Sequence, residues 1–310
     1  MQVKTLSTSR YNSTNATGSV VISGTQKAIF GYGFDGSNVI SVTNLVSNTG
    51  VVATNTTGVG TARNGLAAAG YGTDKAIFGY GNTGVYVSMT NLVSNTGTVA
   101  TDTTGVGTAR RDLAAVGYGS DKAIFGYGNT GAVVSMTNLV SNTGTVATDT
   151  TGVGTARKNL AAAGYGTDKA IFGYGSTGAN VSVTNLVSNT GVVATDTTGV
   201  GTARQVLSAA GYGTDKAIFG YGYIGSGLSM TNLVSNTGVV AIDTTGVGTA
   251  RWGLAAAVYG SDKAIFGYGF DGSNNLSMTN LVSNTGVVAI DTTGVGTARR
   301  ELAAAGYSTT

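Results

Sequence analysis

The stretch KAIFGYG at residues 75–81 decides the fold, because the chain contains it six times. Successive copies are separated by 48 residues once and by 47 residues four times. Two further stretches, TNLVSNTG and TAR, recur with every copy at nearly constant distances from it. The copies of KAIFGYG begin at Lys27, Lys75, Lys122, Lys169, Lys216 and Lys263. Tandem repeats of this length are typical of architectures in which similar structural units stack against one another.

Four short apolar runs lie within each repeat, separated by turns rich in glycine and asparagine. In residues 63–109 the runs cover 66–71, 75–81, 87–93 and 98–104. Their Val, Ile, Thr, Tyr and Phe content is typical of β-strands joined by hairpins, and the alanine-rich first run is too short to nucleate a helix. The sequence therefore predicts an all-β, six-bladed β-propeller with four antiparallel strands per blade. A β-solenoid is the alternative fold.

Two segments compete for the innermost strand of the first blade. Residues 301–307 (ELAAAGY) repeat the innermost-strand motif after the sixth blade is complete, whereas Ser19–Ser23 (SVVIS) precede the first KAIFGYG. Closing a ring removes exposed strand edges, which otherwise invite aggregation. We expect the C-terminal segment to fill the position. The propeller is then predicted to cover residues 19–310, after an N-terminal segment at residues 1–18.

The composition excludes several classes of site. Proline, cysteine and histidine are absent from the 310 residues, and the net charge is only +3. Without Cys and His the chain cannot form disulfides, zinc or haem sites, or a Ser-His-Asp triad. Of the 17 Lys and Arg residues, 12 fall at fixed repeat positions and form no basic stripe, so nucleic acid is not an expected partner. We expect no cofactor, no signal peptide and no membrane insertion.

The order of features in each repeat is similar to a known pattern. An arginine is followed by a small apolar strand, an Asp-Lys turn, and an apolar strand that ends in two glycines, as in Gly79-Tyr80-Gly81. This order resembles the kelch repeat over residues 19–307. The stretch FDGSN at residues 34–38 also resembles it, although Val-Ala-Thr replaces the usual aromatic residue of the fourth strand. Near-identical tandem blades that contain sequence stretches such as TNLVSNTG also resemble repeat proteins of phage virions, particularly those of marine phages. The resemblance implies a kelch-like propeller in a virion-associated location.

Residues that recur in every repeat are expected to be structural. We interpret pairs such as Asp74-Lys75 as turn residues with a solvated charge. The TAR arginines are expected to bond the backbone of neighbouring blades, and Tyr32 and its copies to pack between blades.

Asp35 and Asp271 begin Asp-Gly-Ser-Asn segments, which we interpret as turns because one carboxylate per loop is too few for calcium. Most recurring carboxylates fall at equivalent places of different blades, which a ring would separate, and histidine is absent, so an enzyme is not expected.

The repeats differ from one another mainly directly after TAR and directly after KAIFGYG. In a four-stranded meander the connections at these two places emerge on the same side of the ring, which we call the variable face. Three consecutive blades carry large aromatic residues there, with Asp and Asn beside them. The expected ligand site consists of Tyr223, Trp252, Phe270, Phe34, Asp271, Asn274, Asp35 and Asn38. Aromatic anchors beside hydrogen-bonding groups suit a glycan or a protein surface.

These observations predict a non-enzymatic binding or adhesion propeller that presents its variable face to a glycan or a protein, on a phage virion or its tail. A structural or engineered repeat scaffold without a ligand is the alternative. A polysaccharide lyase or glycosidase is a more distant one. The identity of the ligand and the oligomeric state are left open by the sequence.

Overall fold

The computed structural model describes residues 25–309, and every regular element in this range is a β-strand. The strands are β1 (Thr25–Gly31), β2 (Thr43–Val46), β3 (Ala67–Tyr71), β4 (Lys75–Asn82), β5 (Tyr86–Val93), β6 (Ala114–Tyr118), β7 (Lys122–Asn129), β8 (Val133–Val140), β9 (Ala161–Tyr165), β10 (Lys169–Gly173), β11 (Thr184–Val187), β12 (Ser208–Tyr212), β13 (Lys216–Tyr223), β14 (Gly227–Val234), β15 (Ala255–Tyr259), β16 (Lys263–Phe270), β17 (Asn275–Val282) and β18 (Ala303–Thr309).

The strands form six antiparallel sheets of three strands, and each sheet is one blade. From the first blade to the sixth, the sheets are β18-β1-β2, β3-β4-β5, β6-β7-β8, β9-β10-β11, β12-β13-β14 and β15-β16-β17. The innermost strands contact one another in the order β18, β3, β6, β9, β12, β15 and back to β18. The fold is therefore a closed, six-bladed β-propeller, as the repeats predicted.

The C-terminal strand closes this ring. β18 pairs with β1 in an antiparallel register that places Ala305 opposite Ile29 at its centre. The first blade thus combines strands from both ends of the described chain, which confirms the C-terminal segment as its inner strand. The competing segment Ser19–Ser23 and the N-terminal segment at residues 1–18 lie outside the described residues.

The fourth strand predicted for each blade is not a regular strand. In the second blade, residues 98–104 meet β5 only at two isolated bridges, one at Val93 and one at Thr90. Between the bridges, the side-chain Nδ2 of Asn91 donates to the carbonyl oxygen of Ala100 at 3.0 Å. A side-chain amide thus takes over an acceptor that a continuous ladder would pair with a backbone N–H. Each blade therefore has three strands and a bridged outer segment.

The Gly-Tyr-Gly motif forms a β-bulge that places a tyrosine between two blades. In β4 the register shifts between Gly79 and Gly81, and Tyr80 has a positive φ of 63°. A side chain at Gly79 would lie 2.6 Å from the Phe125 ring of the next blade, so glycine is required there. Tyr80 is fully buried and contacts Phe125 edge-on, with 5.1 Å between ring centroids. The same contact joins every pair of neighbouring blades, which confirms the packing role predicted for these tyrosines.

The arginine of each TAR is completely buried and binds the blade backbone. Arg63 donates from Nε to the carbonyl oxygen of Tyr80 (2.8 Å), from Nη1 to that of Thr61 (3.0 Å), and from Nη2 to Oδ1 of Asn91 (2.6 Å). Its guanidinium also lies over the ring of Tyr32 in the first blade, 4.4 Å from the centroid. The structural role predicted for these arginines is therefore confirmed in part. Their side chains are fully buried, but they bond the backbone of their own blade and contact the neighbouring blade through the tyrosine ring.

Candidate binding face

The two variable places of each repeat lie side by side. In the sixth blade, the N–H of Trp252 donates to the carbonyl oxygen of Phe270 at 3.0 Å, and the N–H of Phe270 donates back at 2.8 Å. Equivalent bridges occur in the other five blades. They join Arg300 to Phe34, Asn64 to Asn82, Arg111 to Asn129, Lys158 to Ser176 and Gln205 to Tyr223. Both sets of sequence differences therefore lie on one face of the propeller, as predicted.

A ring of six backbone hydrogen bonds surrounds the axis on the variable face. Its members are the second residues after the TAR arginines, and each donates its N–H to the carbonyl oxygen of the member in the preceding blade at 2.7–3.0 Å. All six have a positive φ, between 54° and 65°. They are Gly65, Asp112, Asn159, Val206, Gly253 and Glu301. This axial ring fixes the backbone of the adjacent variable residues, Trp252 and Arg300 among them.

Three of the four aromatic residues predicted as a ligand site contact one another, and Arg300 joins the fourth, Phe34, to them. The ring centroids of Tyr223 and Trp252 are 4.8 Å apart, and those of Trp252 and Phe270 are 5.1 Å apart. The Cζ atom of Arg300 then lies 4.4 Å from the centroid of Phe270 and 5.2 Å from that of Phe34. We call these five residues the aromatic arc. Its side chains are half-buried and pack against one another across the fifth, sixth and first blades.

The acidic residues predicted for the site organise the loops beside the arc. Oδ1 of Asp271 accepts hydrogen bonds from the N–H groups of Ser273 and Asn274, both at 2.7 Å. Asp35 makes the equivalent two bonds in the first blade. These bonds lower the pKa of both carboxyls, which therefore stay ionised at neutral pH. The turn interpretation is confirmed, while Asn274 and its counterpart Asn38 are exposed at the loop tips.

Arg300 was not among the predicted site residues. Its guanidinium lies between two phenylalanine rings, and its Nη1 donates to Oδ1 of Asn275 at 3.5 Å. Asn275 in turn donates from Nδ2 to the carbonyl oxygen of Phe34 at 3.3 Å. Arg300 and Asn275 thus join the loops of the sixth and first blades. Its position in the sequence could have indicated this role, because Arg300 directly follows TAR in its repeat, as Trp252 does.

A second residue missed by the sequence analysis is the buried carboxyl of Asp112 in the axial ring. Burial raises the pKa of Asp112 to about 6; Arg111 and Lys158 oppose this shift, whereas Glu301 reinforces it. Oδ1 of Asp112 lies 2.9 Å from where a Cβ of Gly65 would be, so it fills the space that this glycine leaves. The chain neighbours of Asp112 give no indication of this burial.

The opposite end of the axis contains a cavity of about 300 Å³. The innermost strands line its wall with residues such as Ala68 and Gly70, and the turns after these strands surround its mouth. A lysine from each of several blades lies at this mouth, and each is paired with its own neighbour, as Nζ of Lys75 is with Oδ1 of Asp74 at 2.7 Å. The predicted turn role is therefore confirmed, but the lysine charges, which were expected to be solvated, are also paired with carboxylates.

Within residues 25–309, no group of three or more acidic side chains is arranged to hold a metal ion. The same range contains no helix that is long and apolar enough to cross a membrane. No protein-family model matches the chain, and no curated protein matches it either. The function is therefore inferred from the geometry of the variable face.

Proposed function

We propose that this chain is a non-enzymatic binding propeller that presents its aromatic arc to a carbohydrate. The observation that carries the proposal is the contact between Tyr223 and Trp252, which extends one aromatic cluster across two blades. The second, third and fourth blades have Asn, Arg, Lys or Ser at the corresponding places. The arc is therefore a departure from the repeat and not a consequence of it.

The chemistry of the arc suits a sugar. Aromatic rings provide apolar area for the C–H faces of a pyranose, and the neighbouring Asp271, Asn274, Asp35 and Asn38 supply acceptors and donors for its hydroxyl groups. The rings are already packed against one another in the free protein. Binding therefore costs little additional side-chain ordering, which favours affinity.

The biological setting that we propose is a phage virion or tail, in which a kelch-like propeller attaches to glycans of the host surface. This setting is supported by the resemblance of the tandem GYGTDKAIFGYG and TNLVSNTG stretches to virion repeat proteins. A protein on the host surface is the alternative ligand for the same face.

A glycan array tests the proposal with a variant built from the protein's own repeats. Gln205 of the fifth blade and Asn129 of the third blade occupy the places that correspond to Trp252 and Phe270. Because Trp252→Gln and Phe270→Asn introduce these residue types, the blade is expected to fold normally. The double variant should lose about thirtyfold or more in affinity, equivalent to ~2 kcal/mol, as expected for central aromatic anchors. The matched control is Tyr86→Ala, which removes an aromatic ring near Arg111, elsewhere on the variable face.

Four outcomes decide between the functions. Glycan binding that is lost in the double variant and kept in Tyr86→Ala supports the proposal. Binding to intact host cells but to no glycan on the array would indicate a protein ligand. Absence of binding to both would leave a structural scaffold, and glycan binding unchanged in the folded double variant would place the site elsewhere.

A further inference from the structure

The members of the aromatic arc follow one another at nearly equal steps. Each distance joins one member to the next, between ring centroids or from a ring centroid to Cζ of Arg300. In the order Tyr223, Trp252, Phe270, Arg300, Phe34, these distances are 4.8, 5.1, 4.4 and 5.2 Å. The arc crosses two blade boundaries, from the fifth blade to the sixth and from the sixth to the first. Because its end members, Tyr223 and Phe34, belong to the fifth and first blades with the sixth blade between them, the arc is an extended row of planar groups.

We propose that the aromatic arc binds an extended, uncharged linear oligosaccharide, with successive sugar units lying along successive planar groups. This inference rests on the proposed function and specifies its ligand class. A single sugar ring covers one or two of the five planar side chains. A chain of sugars contacts the whole row, and each added unit binds at a high effective concentration because the preceding unit is already held.

The guanidinium of Arg300 gives the row its continuity. Without it, Phe270 and Phe34 would be separate aromatic groups on neighbouring blades, because Arg300 is the group that contacts both rings. A planar guanidinium stacked on aromatic rings can donate hydrogen bonds from its edge, while its flat faces make apolar contacts. Arg300 therefore serves as a middle position of the row.

The charges around the arc favour an uncharged chain. Asp35, Asp271 and Glu301 directly follow Phe34, Phe270 and Arg300 in sequence, so three carboxylates accompany one guanidinium. Nε of Arg300 is 3.9 Å from Oε1 of Glu301, which offsets part of its charge. An anionic sugar placed along the row would be repelled by the two loop carboxylates, since like charges at short distance oppose binding.

The test is an array of oligosaccharides of increasing length, from one to six units, taken from cellulose, chitin, mannan and galactan, with oligogalacturonates as the anionic comparison. In at least one uncharged series, affinity is expected to rise by about tenfold or more from the monosaccharide to the tetrasaccharide and then to level off. The oligogalacturonates are expected to bind more weakly at every length.

Variants at the two ends of the row provide the second measurement. Tyr223→Asn and Phe34→Asn should each shorten the length at which affinity levels off, while the monosaccharide binds as before. Trp252→Gln should weaken binding at all lengths, and Tyr86→Ala should leave the series unchanged. Because asparagine follows KAIFGYG in the second and third blades, both end variants are expected to fold.

Equal affinity for the monosaccharide and the hexasaccharide of a bound series would overturn the extended-chain inference while leaving the proposed function intact. The same conclusion follows if neither end variant changes the length dependence, or if oligogalacturonates bind best. Failure of every series to bind would instead contradict the proposed function, and this inference with it.

Discussion

The guanidinium of Arg157 in the fourth blade lies 4.3 Å from the ring centroid of Tyr127 in the third blade. The same guanidinium donates hydrogen bonds to the carbonyl oxygens of Tyr174 (2.9 Å) and Thr155 (3.0 Å) and to Oδ1 of Asn185 (2.7 Å). One buried side chain therefore joins two blades and satisfies three acceptors. Because every blade repeats this arrangement, the stability of the ring depends on these arginines.

Replacing Arg157 with leucine should lower the free energy of unfolding by about 3–5 kcal/mol, because three buried acceptors lose their donor. Urea denaturation followed by circular dichroism measures the effect. The adjacent Lys158→Gln is the control, since Gln205 occupies that place in the fifth blade, and a surface change of this kind should stay within about 0.5 kcal/mol. Equal stability of the two variants would contradict the structural role of Arg157.

Asp112 predicts an unusual dependence of stability on pH. Burial raises its pKa from 3.8 to about 6, so between these values the native state binds more protons than the unfolded state. The free energy of unfolding therefore falls as pH rises through this window, by up to ~3 kcal/mol from this group. Asp112→Asn, which introduces the residue of Asn159 in the same axial ring, should remove that loss.

The measurement is the difference in unfolding free energy between the wild type and Asp112→Asn at pH 4 and at pH 7.5. The variant should be the more stable protein at pH 7.5, and its advantage should shrink towards pH 4. Comparing the two proteins removes the contributions of carboxyls with lowered pKa, such as Asp149, which act in both. An advantage that is independent of pH would show that Asp112 does not titrate in this window.

Closure by β18 predicts the effect of truncation. Deleting residues 303–310 removes the inner strand of the first blade and exposes the edge of β1. We expect the melting temperature to fall by more than about 10 °C, because many buried contacts are lost at once. A melting temperature equal to that of the full chain would mean that another segment, with Ser19–Ser23 the evident choice, takes the vacant position.

Much of the fold could be predicted because six near-identical repeats constrain it more than one blade would. The spacing of KAIFGYG predicted the number of blades, and the repeated ELAAAGY motif predicted which strand closes the ring. The fourth strand could not be predicted correctly from its residue types. Asn91 and its counterparts lie inside a regular strand, and only the structure shows that their side chains bond the outer segment in place of backbone groups.

The candidate site could be located from the differences between repeats, but its internal contacts could not. Alternating chain direction placed both variable positions on one face, and blade order grouped Tyr223, Trp252, Phe270 and Phe34. The part played by Arg300 depends on where two loops bring their phenylalanines, which residue type does not reveal. The burial of Asp112 likewise depends on the space beside Gly65 in a neighbouring blade.

Sugar binding at the aromatic arc can be followed at Trp252, because it is the single tryptophan of the chain. Its fluorescence emission reports on the middle of the aromatic arc without interference from other tryptophans. The protein is titrated with the hexasaccharide that binds most tightly on the array, and the same titration is followed by calorimetry. If the arc binds the sugar, the emission of Trp252 should change in a saturable way with the dissociation constant that calorimetry gives. Calorimetric binding that leaves the emission unchanged would show that the sugar lies elsewhere on the propeller.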